Sequence, residues 1–163
     1  TDQTDVGPMT PLKLGMVGGG QGAFIGGVHR FAARLDGKWE LVAGALSSDP
    51  ERAASSAADL GIAPDRSYAS YADMAIDEAA RPDGIDAVAI VTPNHMHAGP
   101  SIAFLNAGIN VICDKPLAAT PEDAEAIRAA VEASKAKFIL THNYTGYPLM
   151  RQAREMIANG ELG

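Results

Sequence analysis

From residue 12 onward, short apolar runs take turns with longer stretches in which apolar positions recur every three or four residues. Such a change of period marks strands alternating with helices. Residues 12–18 (LKLGMVG), 39–46 (WELVAGAL), 86–92 (DAVAIVT), 110–113 (NVIC) and 137–143 (KFILTHN) read as strands, with residues 66–69 as a minor sixth. The run in 86–92 is continuous rather than alternating, which suits a strand covered on both faces. Helices are expected over 22–35, from Pro50 to Gly61, over 70–80, from Asn94 to Asn106, from Pro121, and over 148–159. Asp49-Pro50 supplies a cap and a first-turn proline, and Gly61 a C-terminal stop. Thr120-Pro121-Glu122 opens a helix in which Ala124, Ile127, Val131 and Ser134 share one stripe. Strands joined by helices imply right-handed crossovers and a mostly parallel sheet with helices on both faces. The fold class is therefore a doubly wound α/β domain over residues 12–163, behind a flexible leader at 1–11.

In such a sheet, ligands bind beyond the carboxyl ends of the strands. The first strand hands over to the first helix through Gly18-Gly19-Gly20-Gln21-Gly22-Ala23. This is G-x-G-x-x-A, the alanine form of the dinucleotide-binding turn. Gly18 permits a tight turn, Gly20 lets the backbone approach a pyrophosphate, and Ala23 lets the helix pack closely on the strand. Gln21, Gly22, Phe24 and Ile25 complete the turn and the helix N-terminus, whose N–H groups and dipole attract phosphate. The second strand ends in Ser47-Ser48-Asp49-Pro50-Glu51-Arg52, where a ribose-binding carboxylate is usual. Ser47, Ser48 and Arg52 suit a 2′-phosphate, so the expected cofactor is NADP or NAD, with NADP favoured. Asp49 is in reach of a ribose hydroxyl, although capping accounts for it.

The formal charge of −7, from 13 basic and 20 acidic residues, argues against a nucleic-acid partner and against an anionic membrane surface. Cys113, the single cysteine, forms no internal disulfide. No apolar run approaches the length of about 18 residues that a membrane span needs. Residues 1–11 lack the basic start and apolar centre of a secretion signal. A cytoplasmic location is expected, and the start at Thr1 allows for an upstream export segment that has been removed.

Three more loops fall on the same carboxyl edge: Thr92-Pro93-Asn94-His95-Met96-His97, Asp114-Lys115-Pro116 and His142-Asn143-Tyr144. With VGGGQGA, TPNHMH, the Ala-Gly before NVICDKP, and the HNY segment, the chain resembles the Gfo/Idh/MocA oxidoreductases over nearly all of 12–163. The resemblance implies hydride transfer between a nicotinamide cofactor and a hydroxyl-bearing carbon of a sugar, polyol or cyclitol. It implies that Lys115 is catalytic, reaching the substrate hydroxyl, with Asp114 as a shortened form of the family's glutamate. Thr92, Pro93 and Asn94 would line the cofactor cleft, Asn94 also opening a helix, and His97 is assigned to the cofactor side. Asn143 and Tyr144 would approach the nicotinamide or substrate. His29 is given no chemistry, and no metal is expected. The family's second domain, an α/β substrate domain with a catalytic aspartate and histidine, is expected to be missing. The chain alone should bind dinucleotide and turn over little, while the full-length protein is expected to be a homo-oligomer. Two alternatives stand beside this: an NAD-dependent glycosidase of the same family, and a non-catalytic dinucleotide-sensing regulator. The presence of Lys115 favours an enzyme over the regulator.

Overall fold

The structure is a computed structural model described over residues 10–162, so residues 1–9 of the expected leader lie outside the described residues. Strands β1 (Leu12–Val17), β2 (Trp39–Ala45), β3 (Ala87–Ile90), β4 (Asn110–Asp114) and β5 (Phe138–Thr141) form one parallel sheet in the order β2-β1-β3-β4-β5. Between and after them run α1 (Phe24–Arg34), α2 (Pro50–Asp59), α3 (Tyr71–Ala80), α4 (Ala98–Asn106), α5 (Pro121–Ala133) and α6 (Pro148–Ala158). The chain leaves β1 for β2 on one side and returns to β3 on the other. The resulting crevice above β1 and β3 is where this topology binds ligands.

Alternation along the strands explains which helices cover which face. Leu14 and Met16 of β1 join Ala87 and Ala89 of β3, with Ala57 of α2 and Ile25 and Ala33 of α1. Val17, Val88, Ile90, Val111 and Cys113 point the other way, onto Met74 of α3, Phe104 of α4 and Ala130 of α5. All four residues of β3 are buried, as its unbroken apolar run requires. Most of the expected punctuation is present. Asp49 caps α2, Thr120 caps α5, and Gly61 sits at φ +71° just past α2.

Four expectations need correction. Residues 66–69 form no strand of the sheet: Pro64–Arg66 is a 3-10 turn, and one isolated bridge joins Gly44 to Ser67. The cause is a buried ion pair that outweighs local β preference, in which Arg66 Nε donates to Glu78 Oε1 at 3.0 Å. The first helix starts at Phe24, not near Gly22, because Gly22 is left-handed (φ +79°) and Ala23 is extended. Asn94 caps no helix with its side chain; Asn94–Met96 is a 3-10 turn and α4 begins at Ala98. The last strand stops at Thr141, where the His142 amide turns back to the Leu140 carbonyl and Asn143–Gly146 forms a further 3-10 turn.

Candidate functional site

The turn after β1 is held from below. Gly18 N–H donates to the Ala45 carbonyl at 2.9 Å and Gly20 N–H to the Leu46 carbonyl at 3.2 Å, tying the loop to the end of β2. Gly18 itself is left-handed, at φ +77°, as a tight turn demands. At Gly20 a side chain would place its Cβ 2.7 Å from Ser56 Oγ and 2.8 Å from the Leu46 carbonyl. The packing of β2 and α2 around Gly20 is thus by itself a reason for it to stay small. The close packing expected of Ala23 belongs to Gly26 instead, where a Cβ would lie 2.5 Å from Gly19 Cα. Ala23 is the N-cap residue of α1. The sequence signal for Gly26 was available: a glycine in a helix's first turn costs about 1 kcal/mol against alanine, so something must require it.

The amides of Gly18, Gly20, Gln21 and Ala23 are all bonded within the protein, the last two to Ser56 Oγ at 3.0 Å and the Gly20 carbonyl at 3.0 Å. The Gln21 side chain is turned onto α2, donating to Ser55 Oγ at 2.9 Å and Asp59 Oδ2 at 2.6 Å. No side chain caps α1, α4 or α6, whereas Asp49, Ser70 and Thr120 cap α2, α3 and α5; of the three uncapped helices, α1 follows the glycine turn. The first-turn amides of Phe24, Ile25 and Gly26 are the ones an α-helix leaves without intrahelical partners. Phe24, at the head of that turn, borders a hollow of about 290 Å³ whose lining also includes Gly20, Gln21, Gly22, Arg30 and Asp59. Uncapped donors, a positive dipole end and a glycine-walled hollow fit a diphosphate.

Around the end of β2 the groups bond locally. Ser47 Oγ accepts from the Asp49 amide at 3.1 Å, and Asp49 Oδ1 accepts from the Arg52 amide at 2.8 Å. Ser48 and Arg52 are exposed, and the Arg52 guanidinium is in no ion pair among the described residues. At the end of β3, Thr92 packs on the glycine turn, its amide 3.2 Å from where a Gly18 Cβ would stand. Pro93 and Asn94 are exposed beside it.

A second cleft, of about 460 Å³, runs between α1 and the strands β3 to β5. It brings Ile25, Asp114, Lys115 and Asn143 together with His29, Thr141 and Tyr144. Asp114 Oδ1 accepts from Thr141 Oγ1 at 2.7 Å and lies 3.6 Å from His29 Nε2. Burial raises the Asp114 carboxyl, but the Thr141 hydroxyl, the Lys115 amide and His29 outweigh it and hold the group below the usual carboxylate range. His29, expected to have no chemistry, therefore lines this cleft as a polar neighbour of Asp114. Its spacing was the signal: it stands four residues after Ile25, on the same face of the helix.

His97, assigned to the cofactor side, lies between two loops of that edge. Its side chain is fully buried at the start of α4, packed rather than exposed. Nδ1 lies 2.7 Å from the Pro116 carbonyl oxygen and Nε2 3.0 Å from that of Thr92. Among the described residues, no group of three or more His, Cys, Asp or Glu side chains could hold a metal, and no helix is long and apolar enough to cross a membrane.

Comparison with known proteins agrees with this geometry. The model of an oxidoreductase family with an NAD-binding Rossmann fold, Gfo/Idh/MocA, matches residues 12–142. An oxidoreductase from Sinorhizobium meliloti is 59% identical with a TM-score of 0.91, over 95% of this chain and 43% of its own. An inositol dehydrogenase homolog from Azotobacter vinelandii, solved with NAD+, is 45% identical with a TM-score of 0.88, over 94% of this chain and 39% of its own. Levoglucosan dehydrogenase from Pseudarthrobacter phenanthrenivorans is 34% identical over 95% of this chain and 39% of its own length. The chain thus spans about two fifths of the relatives it matches.

Proposed function

Because the chain belongs to the Gfo/Idh/MocA oxidoreductase family, with its NAD-binding Rossmann fold, we propose that it serves a dehydrogenase acting on a hydroxyl group of a sugar, polyol or cyclitol. The observation that carries this is the uncapped N-terminus of α1, set in the glycine-walled hollow at the sheet's switch point, with Lys115 on a neighbouring loop of the same edge. When bound, a nicotinamide supplies the hydride acceptor or donor for the substrate carbon. The chain's own residues do the rest. Phe24, Ile25 and Gly26 offer their amides to the diphosphate, and Thr92 closes the turn beside Gly18. The Lys115 side chain orients the substrate hydroxyl; its neutral amine would accept the hydroxyl proton as hydride leaves, and its ammonium would return that proton as hydride arrives. Asp114, held by Thr141 and His29, fixes the strand end from which Lys115 projects.

Of the two nicotinamide cofactors, NAD is the better supported. Asp49 puts a carboxylate beside Ser47 and Ser48, which repels a 2′-phosphate. The relative from Azotobacter vinelandii was solved with NAD+. The NADP reading is supported by the Ser47 and Ser48 hydroxyls, by the exposed Arg52 guanidinium without an ion pair among the described residues, and by two relatives, D-xylose 1-dehydrogenases (NADP(+)) 35% and 36% identical to this chain. Fluorescence titration of the whole protein with NADH and NADPH separates them. Tighter NADH binding, unchanged in Arg52→Ala, is expected. Tighter NADPH binding that Arg52→Ala weakens by about 1–3 kcal/mol, as a lost charge-assisted contact should, establishes NADP instead. Failure of both cofactors to bind overturns the function. Turnover is then surveyed with myo-inositol and levoglucosan, and Lys115→Met should abolish it while leaving NADH affinity intact.

A further inference from the structure

We propose that His97 is a positioning residue for Lys115: a doubly protonated imidazole, bonded at both ring nitrogens, that clamps the Lys115-Pro116 loop to the Thr92 loop. Both nitrogens face carbonyl oxygens, Pro116 at 2.7 Å from Nδ1 and Thr92 at 3.0 Å from Nε2. A carbonyl only accepts. Neutral imidazole carries one N–H and one lone pair, so in either tautomer one of these contacts would set a lone pair against an oxygen. The protonated ring donates to both. Burial of the cation costs free energy, which two charge-assisted hydrogen bonds offset. The ring is 0% exposed, so water does not stand in for either partner.

The titratable side chains on the surrounding elements are His95 on its own turn, Cys113, Asp114 and Lys115 on β4 and its loop, and Tyr71 on α3. None of them hydrogen-bonds to the ring among the described residues; Asp114 is engaged by Thr141 and His29. The two carbonyls are the ring's partners, and each belongs to one half of the candidate site. Thr92 packs on the glycine turn, and Pro116 follows Lys115 directly. The clamp therefore sets the position of the lysine relative to the dinucleotide cradle. It rests on the reading of Lys115 as the group that meets substrate.

The whole protein labelled with 15N-histidine tests the clamp without any substrate. Both ring nitrogens of His97 should carry slowly exchanging protons at neutral pH, and a bare ring nitrogen at His97 overturns the proposal. Two variants test positioning. His97→Phe fills the space but donates nothing, whereas His97→Gln keeps amide N–H donors. Turnover (kcat) should fall about tenfold to a hundredfold in His97→Phe, the scale of a misplaced catalytic group. NADH affinity should hold, and His97→Gln should recover part of the loss. Undiminished kcat in His97→Phe overturns the proposal; if that variant does not fold, the nitrogen spectrum of the unaltered protein decides. Lys115→Met with undiminished turnover would sink the lysine reading while leaving the doubly protonated ring in place. A singly protonated ring would sink the clamp while Lys115→Met remained inactive.

Discussion

Replacing Gly26 with alanine should destabilise the domain and loosen its grip on dinucleotide, whereas the same change one residue later should do neither. At Gly26 the new Cβ would stand 2.5 Å from Gly19 Cα, 2.6 Å from its carbonyl oxygen and 2.9 Å from its carbonyl carbon. All three are backbone atoms, so no rotamer change relieves them. Gly19 cannot easily turn away, because its carbonyl accepts from Arg30 Nη1 at 2.6 Å and its φ is +74°. Restoring ordinary contact means lifting the first turn of α1 by roughly an ångström, an overpacking strain of about 1–3 kcal/mol. Alanine's better helix propensity returns about 1 kcal/mol, so a backbone-only clash near the top of that range leaves a net loss of about 1–2 kcal/mol. Gly27 meets only Arg30 Nη2 at 3.9 Å, so Gly27→Ala keeps the propensity gain without the clash. Urea unfolding of the two variants, beside NADH titration, reads both consequences. The lifted turn moves the amides of Phe24 and Ile25, so NADH affinity should fall about tenfold or more in Gly26→Ala and stay level in Gly27→Ala. Equal stability and equal NADH affinity in the two variants would refute the close approach of loop and helix on which the cradle depends.

Further outcomes follow from the interior and from the cleft. Glu78→Gln should cost about 3 kcal/mol in urea unfolding, at the low end for a broken buried pair because Arg66 retains Asp83 at 3.5 Å. The carboxylate accepts from Arg66, from Tyr68 Oη at 2.9 Å and from the Ile85 amide at 3.1 Å, and a loss under about 1 kcal/mol would show that it is dispensable. Cys113 is fully buried, and burial pushes its thiol up to about 11, so iodoacetamide at neutral pH should leave it unmodified until the protein unfolds; rapid native alkylation would contradict its place in the core. Asp114 titrates below the usual carboxylate range in the fold, so its stabilisation is full above about pH 4, the unfolded value, and fades as pH falls through the lower folded value. Melting temperatures of the unaltered protein and of Asp114→Asn should therefore differ most above that point and converge in stronger acid; a gap independent of pH would mean that the carboxylate's charge is not what Thr141 and His29 hold.

What the sequence made legible was what local chemistry decides. The runs that form β1 to β4, the Asp49-Pro50 and Thr120-Pro121 helix starts and the Gly61 stop need only neighbouring residues, and they appear where expected. What escaped depends on distant partners. The Arg66–Glu78 pair turns an expected strand into a 3-10 turn, and nothing within residues 66–69 announces it. The partner of His97, the Pro116 carbonyl against its Nδ1, lies 19 residues on, out of reach of any local pattern. His29 was within reach of periodicity, but its partner Asp114 was not.

The glycine turn shows how the two levels meet. Its pattern points to a diphosphate site, yet in the fold most of its small residues serve packing. Gly20 yields to Ser56 and Leu46, Gly26 yields to Gly19, and the amides of Gly18, Gly20, Gln21 and Ala23 are bonded inside the protein. The motif therefore acts less by touching phosphate at every position than by drawing β1, α1 and α2 so close together that the uncapped first turn of α1 is left as the donor surface. On that account, any side chain that separates these three elements should weaken dinucleotide binding even when it lies on the far side of the loop from the hollow. Gly20→Ala, whose Cβ would press on Ser56 Oγ and the Leu46 carbonyl, is such a case. It should lower NADH affinity together with stability, whereas Gly22→Ala should strain only the left-handed turn, since nothing lies within 4 Å of its Cβ position. If Gly20→Ala unfolds more easily in urea yet binds NADH as tightly as the unaltered protein, then the cradle is set by the turn alone and not by the convergence of the three elements.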